Sequence, residues 1–518
     1  MTNKSVRTLF FIILSVIIFT TYSYAQQPAP ANPNATPEAR ALLKYLQGIS
    51  GKYILTGQHN FPASGDRNTQ FAAAYIGKTP VIWSQDFGFA AGGDKDSYLS
   101  RPAIVQEAIR QYKKGAIVNL CWHAVPPTAD EPVTFQPLAG ADSSKPLASV
   151  QGRLTDEQYH DILTPGTELN KKWMKQVDQI AFFLKQLQDA KVPVLWRPYH
   201  EMNGDWFWWG GRSEGKYTTL ALYKQIYDRF VKFHKLNNLV WVWSVDRPSR
   251  PGREFVNFYP GTKYLDILAL DIYGNDFNQS YYDSLLTLSK GKPVTLGEVG
   301  TPPAPEILRK QPGWIYWVVW AGMTRETSQS DYDKLLAYPP VTFMEDASYA
   351  EGTKEYRRAC GLEALSVNRK TDFTGSWKLD ECGSRIAGDM SISSAPHKIA
   401  VSQKENLLSA KFYSVSEYSD DEVTDFSVSL DGKENRSSAI ANSVSNRTAI
   451  WSSSLDTIKI DSKVTFRYDG RTNEMRSKEI WYIIKRGPKL VIDQTIDDFM
   501  GQGPRKVTLV YEKTSSIK

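Results

Sequence analysis

Eight short runs of apolar and β-branched residues recur between residues 53 and 320, and helix-patterned stretches separate most of them. The runs are Tyr53 to Thr56, Pro80 to Trp83, Ala116 to Trp122, Val192 to Arg197, Leu239 to Trp243, Ile267 to Ile272, Val294 to Leu296 and Ile315 to Trp320. Helical spacing is clearest at Trp173 to Ala190 and Leu220 to Leu236. Strands that alternate with helices pair in parallel, because each crossover returns the chain to the same end of the sheet. Eight such strands in about 270 residues meet the requirement of a (β/α)8 barrel. A doubly wound open sheet is the competing arrangement. However, no Gly-rich phosphate loop follows the first run, and neither G-x-G-x-x-G nor a P-loop pattern occurs. The expected fold class is α/β, a (β/α)8 TIM barrel, and no nucleotide cofactor is expected.

The texture changes after Leu362. From Asp372 onward Ser, Thr, Asp and Lys rise, and short alternating runs replace the helical pattern. These are Gly375 to Leu379, Lys398 to Ser402, Leu408 to Tyr413, Thr424 to Leu430, Thr448 to Ser452, Thr457 to Ile460, Lys463 to Tyr468, Lys478 to Ile484, Lys489 to Ile496 and Lys506 to Tyr511. Many short strands separated by turns predict a smaller all-β domain, an antiparallel barrel or sandwich. The division expected is residues 38–364 for the barrel and 365–518 for the β domain.

Ahead of the barrel, Lys4 and Arg7 precede an apolar stretch from Leu9 to Thr20, and Ser23-Tyr24-Ala25 fits a small-residue cleavage site. This is the pattern of a signal peptide over residues 1–25; its apolar core is shorter than the ~20 residues a membrane span needs. A secreted or periplasmic protein is expected, with no membrane span after cleavage. Residues 26–37, rich in Pro, Ala and Asn, read as a flexible leader, and a short helix is expected from Glu38 to Gln47. The net charge of +6 comes from 62 basic and 56 acidic residues without a basic cluster, which argues against nucleic-acid binding. The three cysteines, Cys121, Cys360 and Cys382, form no metal-ligand spacing. They are expected to be free thiols, although Cys360 and Cys382 could pair in an oxidising compartment. Fifteen Trp and 27 Tyr exceed what core packing usually takes, so about half of them are expected to serve as stacking platforms for a ligand.

In a (β/α)8 barrel the chemistry sits where strands end in loops at the carboxyl face. The fourth run leads into Trp196-Arg197-Pro198-Tyr199-His200-Glu201, and the seventh carries Glu298 in Leu296-Gly297-Glu298-Val299-Gly300. Two carboxyl groups converging from different strands suit glycoside hydrolysis. One must hold a proton near neutral pH, for which the aromatics Trp206, Phe207, Trp208 and Trp209 could supply a dry setting for Glu201. The other must stay ionised, and Tyr273 at the end of the sixth run could donate to Glu298. Arg197 stays charged in any setting and could orient either acid. His59 and His123 also fall at strand ends. No two His lie at i, i+4, and no metal is expected.

The stretch W-R-P-Y-H-E-M-N-G-D-W-F-W-W-G, with V-T-L-G-E-V-G on the seventh run, resembles glycoside hydrolase family 26 over roughly residues 40 to 362. The main activity of that family is endo-β-1,4-mannanase. The resemblance implies a retaining double displacement with Glu201 as acid/base and Glu298 as nucleophile. It further implies that Arg197 and His200 hold the site, Tyr273 contacts the nucleophile and His123 lines the sugar subsite at the point of cleavage. Trp206 would be the aromatic five residues beyond the acid/base, and Trp320 the platform beneath the sugar. The substrate implied is β-mannan, as mannan, glucomannan or galactomannan, handled without a cofactor by a monomer. β-1,3-Xylan and mixed-linkage β-glucan are the competing substrates, and a non-catalytic carbohydrate-binding protein is the competing class. The C-terminal stretch, from Phe373-Thr374-Gly375-Ser376-Trp377 to Val507-Thr508-Leu509-Val510-Tyr511, is similar to small lipocalin-like β-barrels; a carbohydrate-binding module is the rival reading.

Overall fold

The computed structural model describes residues 28–514 except 89–98, 131–132, 141–144, 367–369, 387–391, 393–394, 417–418, 439–442, 469 and 498–502. The signal-peptide stretch, residues 1–25, lies outside the described residues. Among those described, no helix is long and apolar enough to cross a membrane.

Nine short strands close a parallel barrel: β1 (Ile54–Leu55), β2 (Gly57–His59), β3 (Ile82–Asp86), β4 (Ile117–Trp122), β5 (Val194–Pro198), β6 (Leu239–Asp246), β7 (Ile267–Ile272), β8 (Val294–Val299) and β9 (Trp314–Val319). β1 and β2 are two halves of one barrel strand interrupted at Thr56, so the barrel has eight staves. Closure is made by β9, which pairs Tyr316 with Leu55 and Val319 with Gln58. A two-residue strand, β10 (Val341–Thr342), adds in parallel to β1. At the interruption, the Thr56 hydroxyl donates to the Thr342 carbonyl at 3.0 Å. Gly57 allows β9 to approach, since a Cβ there would sit 2.4 Å from the Trp317 carbonyl oxygen. Every residue of these barrel strands is buried, as expected of strands covered by helices on one face and by barrel filling on the other.

The helix Glu168–Asp189 shows why the sequence folds this way. Thr167 caps it by accepting from the Asn170 N–H at 3.1 Å, and Trp173, Val177, Ile180, Ala181, Leu184 and Leu187 line its buried face at helical spacing. The stretch expected as one helix to Leu236 is an α-helix only over Thr219–Asp228 and widens into a π turn at Arg229–Phe233. The wider turn brings Arg229 (2.8 and 2.7 Å) and His234 (2.6 Å) to the same carboxylate, Asp178.

The stretch expected to be a flexible leader is held against the barrel from Pro28 on. Asp266 accepts from the Ala31 N–H at 2.6 Å, Tyr227 donates to the Ala31 carbonyl at 2.6 Å, and Asn32 is fully buried. Its low hydrophobicity concealed a segment anchored by backbone hydrogen bonds. The aromatic surplus also resolves differently from expectation. Of 15 Trp, all but Trp206, Trp320 and Trp451 are fully buried, so the excess serves packing far more than it serves ligand stacking. All three cysteines are free; Cys121 and Cys360 are buried and Cys382 is exposed.

The C-terminal strands form one antiparallel sheet: β11 (Gly375–Leu379), β12 (Arg385–Ile386), β13 (Lys398–Lys404), β14 (Leu407–Ser414), β15 (Glu422–Ser429), β16 (Asn435–Ser438), β17 (Val444–Trp451), β18 (Thr457–Tyr468), β19 (Arg471–Ile484), β20 (Lys489–Ile496) and β21 (Arg505–Lys513). The order is β15-β14-β13-β11-β21-β20-β19-β18-β17-β16, with β12 on β21. This is a meander in which the first and last long strands pair. Val428 and Leu430 from one end of the sheet and Ala449 and Ile458 from the other enter a single core with Trp377, Trp481 and Tyr511, so the sheet curls on itself. Two runs expected as separate strands, Thr457 to Ile460 and Lys463 to Tyr468, are one strand. Asp461 and Ser462 continue the alternation, opposite Lys478 and Ser477, rather than turning. β19 starts seven residues before the expected Lys478, because Arg471 to Arg476 carry almost no apolar signal.

The β19–β20 hairpin holds this sheet to the barrel. Arg486 pairs with Asp333 at 2.6 Å and reaches the Ile76 carbonyl at 3.4 Å, and the Gly487 N–H donates to the Ala74 carbonyl at 3.0 Å.

Candidate active site

β5 ends at Pro198, and the chain then takes two unusual backbone turns. Tyr199 and Glu201 both have φ of 51°, a conformation that costs a non-glycine residue free energy and persists only where neighbours fix it. The fixing contacts are present. The Gly204 N–H donates to the Glu201 carbonyl at 2.8 Å, and Trp209 Nε1 donates to the His200 carbonyl at 3.0 Å. The turns swing Glu201 over the barrel mouth, where its carboxylate accepts from Trp206 Nε1 at 2.6 Å. Trp206 is the half-buried member of the aromatic run. Phe207, Trp208 and Trp209 are buried and support the site from below, with Phe207 and Trp209 stacked at 4.4 Å.

Glu298 is aimed by an irregularity. β7 and β8 run in register to Leu270↔Leu296, then shift so that Asp271 faces Glu298 and Gly297 becomes the extra residue. The bulge turns Glu298 inward. Tyr273 donates to its Oε2 at 2.7 Å, and Arg197 Nη2 pairs with its Oε1. The same guanidinium gives Nη1 to Asp271 at 2.9 Å and to Ser244 at 3.1 Å, so Arg197 is locked between two carboxylates. One carboxylate oxygen from each of Glu201, Asp271 and Glu298 lies within 4.8 Å of the others. Three convergent carboxylates are a donor set a cation would take, and here the Arg197 guanidinium already stands against two of them.

The electrostatics separate the two glutamates. Burial pushes the Glu201 carboxyl well above the usual range; the negative neighbours Glu298, Asp271 and Asp246 add to this, and the Trp206 hydrogen bond opposes it. Glu298 instead has a cation and a phenol donating to it. His200 stands with Nε2 3.9 Å from Glu298. Burial, and after it the neighbouring His123 and Arg197, hold its pKa well below the ordinary value, so it is a neutral imidazole.

His123 is seated by Asp86, whose carboxylate pairs with Nδ1 and also takes the His123 N–H at 3.2 Å and the Cys121 thiol at 3.2 Å. The His123 ring meets His200 edge-on at 4.2 Å. Trp320 follows β9 at the rim and stacks on His59 at 4.0 Å, with the planes 13° apart. His59 Nδ1 in turn bonds Ser84 at 2.9 Å, and burial takes its pKa down to about 3, so a neutral ring supports the indole.

All eight residues singled out in the sequence, Glu201, Glu298, His123, Arg197, His200, Trp206, Tyr273 and Trp320, therefore meet at one end of the barrel. Sequence reasoning missed Asp86, Ser244 and Asp271. Asp271 was visible as an acid in Leu270-Asp271-Ile272-Tyr273, two residues before Tyr273, and Asp86 lay just past the run that was read to stop at Trp83.

This geometry can be set beside known proteins. The sequence model of glycosyl hydrolase family 26 matches residues 31–343. The chain belongs to glycosyl hydrolase family 26. A mannan endo-1,4-beta-mannosidase of Thermothelomyces thermophilus is 34% identical over 297 residues, which are 56% of this chain and 56% of that protein. The chain thus spans just over half the length of that family relative. The structure of GH26A from Muricauda sp. MAR_2010_75 has 42% sequence identity and a TM-score of 0.55, covering 60% of this chain and 98% of that one. A Podospora anserina GH26-CBM35 beta-(1,4)-mannanase structure has 27% identity and a TM-score of 0.51, covering 64% of this chain and 70% of that one. These matches leave most of the C-terminal sheet to be interpreted from its own residues.

Proposed function

We propose that this family 26 member is a secreted endo-β-1,4-mannanase that cleaves mannan, glucomannan or galactomannan with retention of configuration. Glu298 attacks the anomeric carbon while Glu201 protonates the departing glycosidic oxygen. Glu201, now ionised, takes a proton from water, which attacks the anomeric carbon and releases Glu298. The observation that carries the reading is the pairing of a proton-holding carboxyl with a second carboxylate oxygen within 4.8 Å of it. Retaining glycosidases place their carboxyl groups about 5–5.5 Å apart, and inverting ones leave room for a water at about 6.5–9.5 Å. Arg197 and Tyr273 hold the two oxygens of Glu298 and aim it. Trp320, backed by His59, offers an aromatic face for a sugar ring.

The choice of β-mannan rests on family membership and on the named activities of the relatives. The proposal of secretion rests on the pattern of residues 1–25. Reducing-sugar release from mannan, mixed-linkage glucan and β-1,3-xylan tests the substrate. Mannan is expected to be turned over fastest, and Glu298→Ala is expected to lose turnover on all three. Equal turnover by Glu298→Ala and the parent chain would refute the mechanism; preference for xylan or glucan would refute the substrate.

A further inference from the structure

The inside of the C-terminal sheet is not uniform along the strands. The half nearer the Arg486 hairpin is filled by Phe373, Trp377, Ile458, Trp481, Leu490 and Tyr511. The far half is hollow, with a cavity of about 240 Å³ lined by Phe412, Thr424, Phe426, Arg447, Ile460 and Glu479, among others. Drug-sized ligands occupy about 300–1,000 Å³, so this space suits a single ring.

Its walls are of two kinds. Phe412 and Phe426 stand parallel at 5.5 Å, 18° apart, and form an apolar side. Opposite them, β17 and β19 turn Arg447 and Glu479 inward, with Ile460 of β18 between them. Arg447 lies over the Phe426 ring at 5.2 Å and, among the described residues, donates to the Ser437 hydroxyl at 3.3 Å. It makes no ion pair among the described residues. Ser414 and Thr424 add two hydroxyls to the lining. Glu479 accepts from Trp481 Nε1 at 2.8 Å and Gln494 Nε2 at 3.2 Å, and each of its oxygens keeps a further lone pair.

Ligand sites join an apolar wall to a few placed polar groups, and here a guanidinium and a carboxylate with spare hydrogen-bonding capacity face an aromatic wall. The guanidinium asks for acceptors, the carboxylate asks for donors, and the hydroxyls take either. A carboxylate ligand would satisfy Arg447 but would confront Glu479. A ring carrying several hydroxyls on its edges and C–H groups on its face satisfies every wall. We propose that this distal cavity is a binding site for one neutral hexopyranose-sized sugar residue, separate from the barrel mouth. Burial, which raises the Glu479 carboxyl and lowers Arg447, fits a site whose charges are poorly hydrated until a polyol enters.

The test titrates the full-length chain with D-mannose, D-glucose, D-galactose and benzoate, by calorimetry and saturation-transfer NMR, alongside Arg447→Leu and Thr424→Trp. Thr424 is exposed at the cavity, so a tryptophan there closes the space without removing a buried group. Binding of at least one hexose is expected to weaken about tenfold or more in both variants, as loss of a charged hydrogen-bond partner predicts. Glycan hydrolysis is expected to be unchanged in both, which separates this site from the barrel. Hexose binding that is absent, or equal in all three proteins, overturns the proposal. So does benzoate binding that depends on Arg447 and exceeds that of every hexose. If Arg447→Leu does not fold, Thr424→Trp alone decides.

Discussion

Gly297→Ala is a one-methyl change that tests how Glu298 is aimed. A Cβ at Gly297 would stand 2.5 Å from Asp271 Oδ1, 3.2 Å from the Ala269 Cβ and 3.2 Å from Ser244 Oγ. The first contact cannot be accommodated without movement, and Asp271 has little freedom to move. Ser244 donates to it at 3.0 and 3.1 Å, and Arg197 holds its other side at 2.9 Å. Turning Asp271 away strips a buried guanidinium of one of its two carboxylates; keeping it in place flattens the bulge that aims Glu298. Overpacking of this kind costs about 1–3 kcal/mol. A fall in melting temperature of about 2–4 °C per kcal/mol is expected for a domain of 150–250 residues, and somewhat less for a larger barrel. The catalytic loss is expected to be larger in proportion, because misplacing a reacting group by about 1 Å can cost about a hundredfold. The assay is kcat on a soluble mannan, with a thermal melt of the same preparation. A drop in kcat of about 10- to 100-fold at nearly constant KM supports the bulge as the aiming device. A variant with parental kcat and melting temperature would refute the reasoning.

Two further changes address the proton-holding carboxyl. Trp206→Phe removes the hydrogen bond that pulls the Glu201 pKa down, so the alkaline limb of the kcat/KM profile is expected to move to higher pH; movement to lower pH contradicts the assignment. Glu201→Gln is expected to be inactive but more stable at neutral pH. Because the folded-state pKa of Glu201 is raised, burial penalises folding progressively as pH climbs from the unfolded carboxyl value through the folded one. Replacing such a group commonly stabilises by about 0.5–2 kcal/mol. Denaturant melts at pH 4 and pH 8 check the sign, with the gain over the parent expected to be larger at pH 8.

The eight staves of the barrel were legible because apolar β-branched runs separated by amphipathic helices admit few other folds. The carboxyl ends of β3, β6 and β8 were not. Asp86, Asp246 and Glu298 lie inside β3, β6 and β8, yet the apolar pattern stops before each. A strand that ends at a catalytic rim must exchange apolar residues for charged ones, so the hydrophobic signal fades where the site begins. The same cause hid Asp86 as the partner of His123. The pairing of Tyr273 with Glu298 was legible, since the two lie at the ends of neighbouring strands and a phenol can donate to a carboxylate. The bulge at Gly297 was not, because a register shift leaves no mark on composition. In the C-terminal sheet, Arg447 of β17 and Glu479 of β19 are polar residues inside the strands that line its cavity, whereas the polar run Arg471 to Arg476 that hid the start of β19 does not.

The central claim is that Glu201 and Glu298 form a double-displacement pair. The anomeric configuration of the first-formed product, followed by 1H NMR during cleavage of mannotetraose before mutarotation sets in, tests it most directly. The account predicts that the β-anomer appears first and the α-anomer grows in later. Initial release of the α-anomer would contradict it.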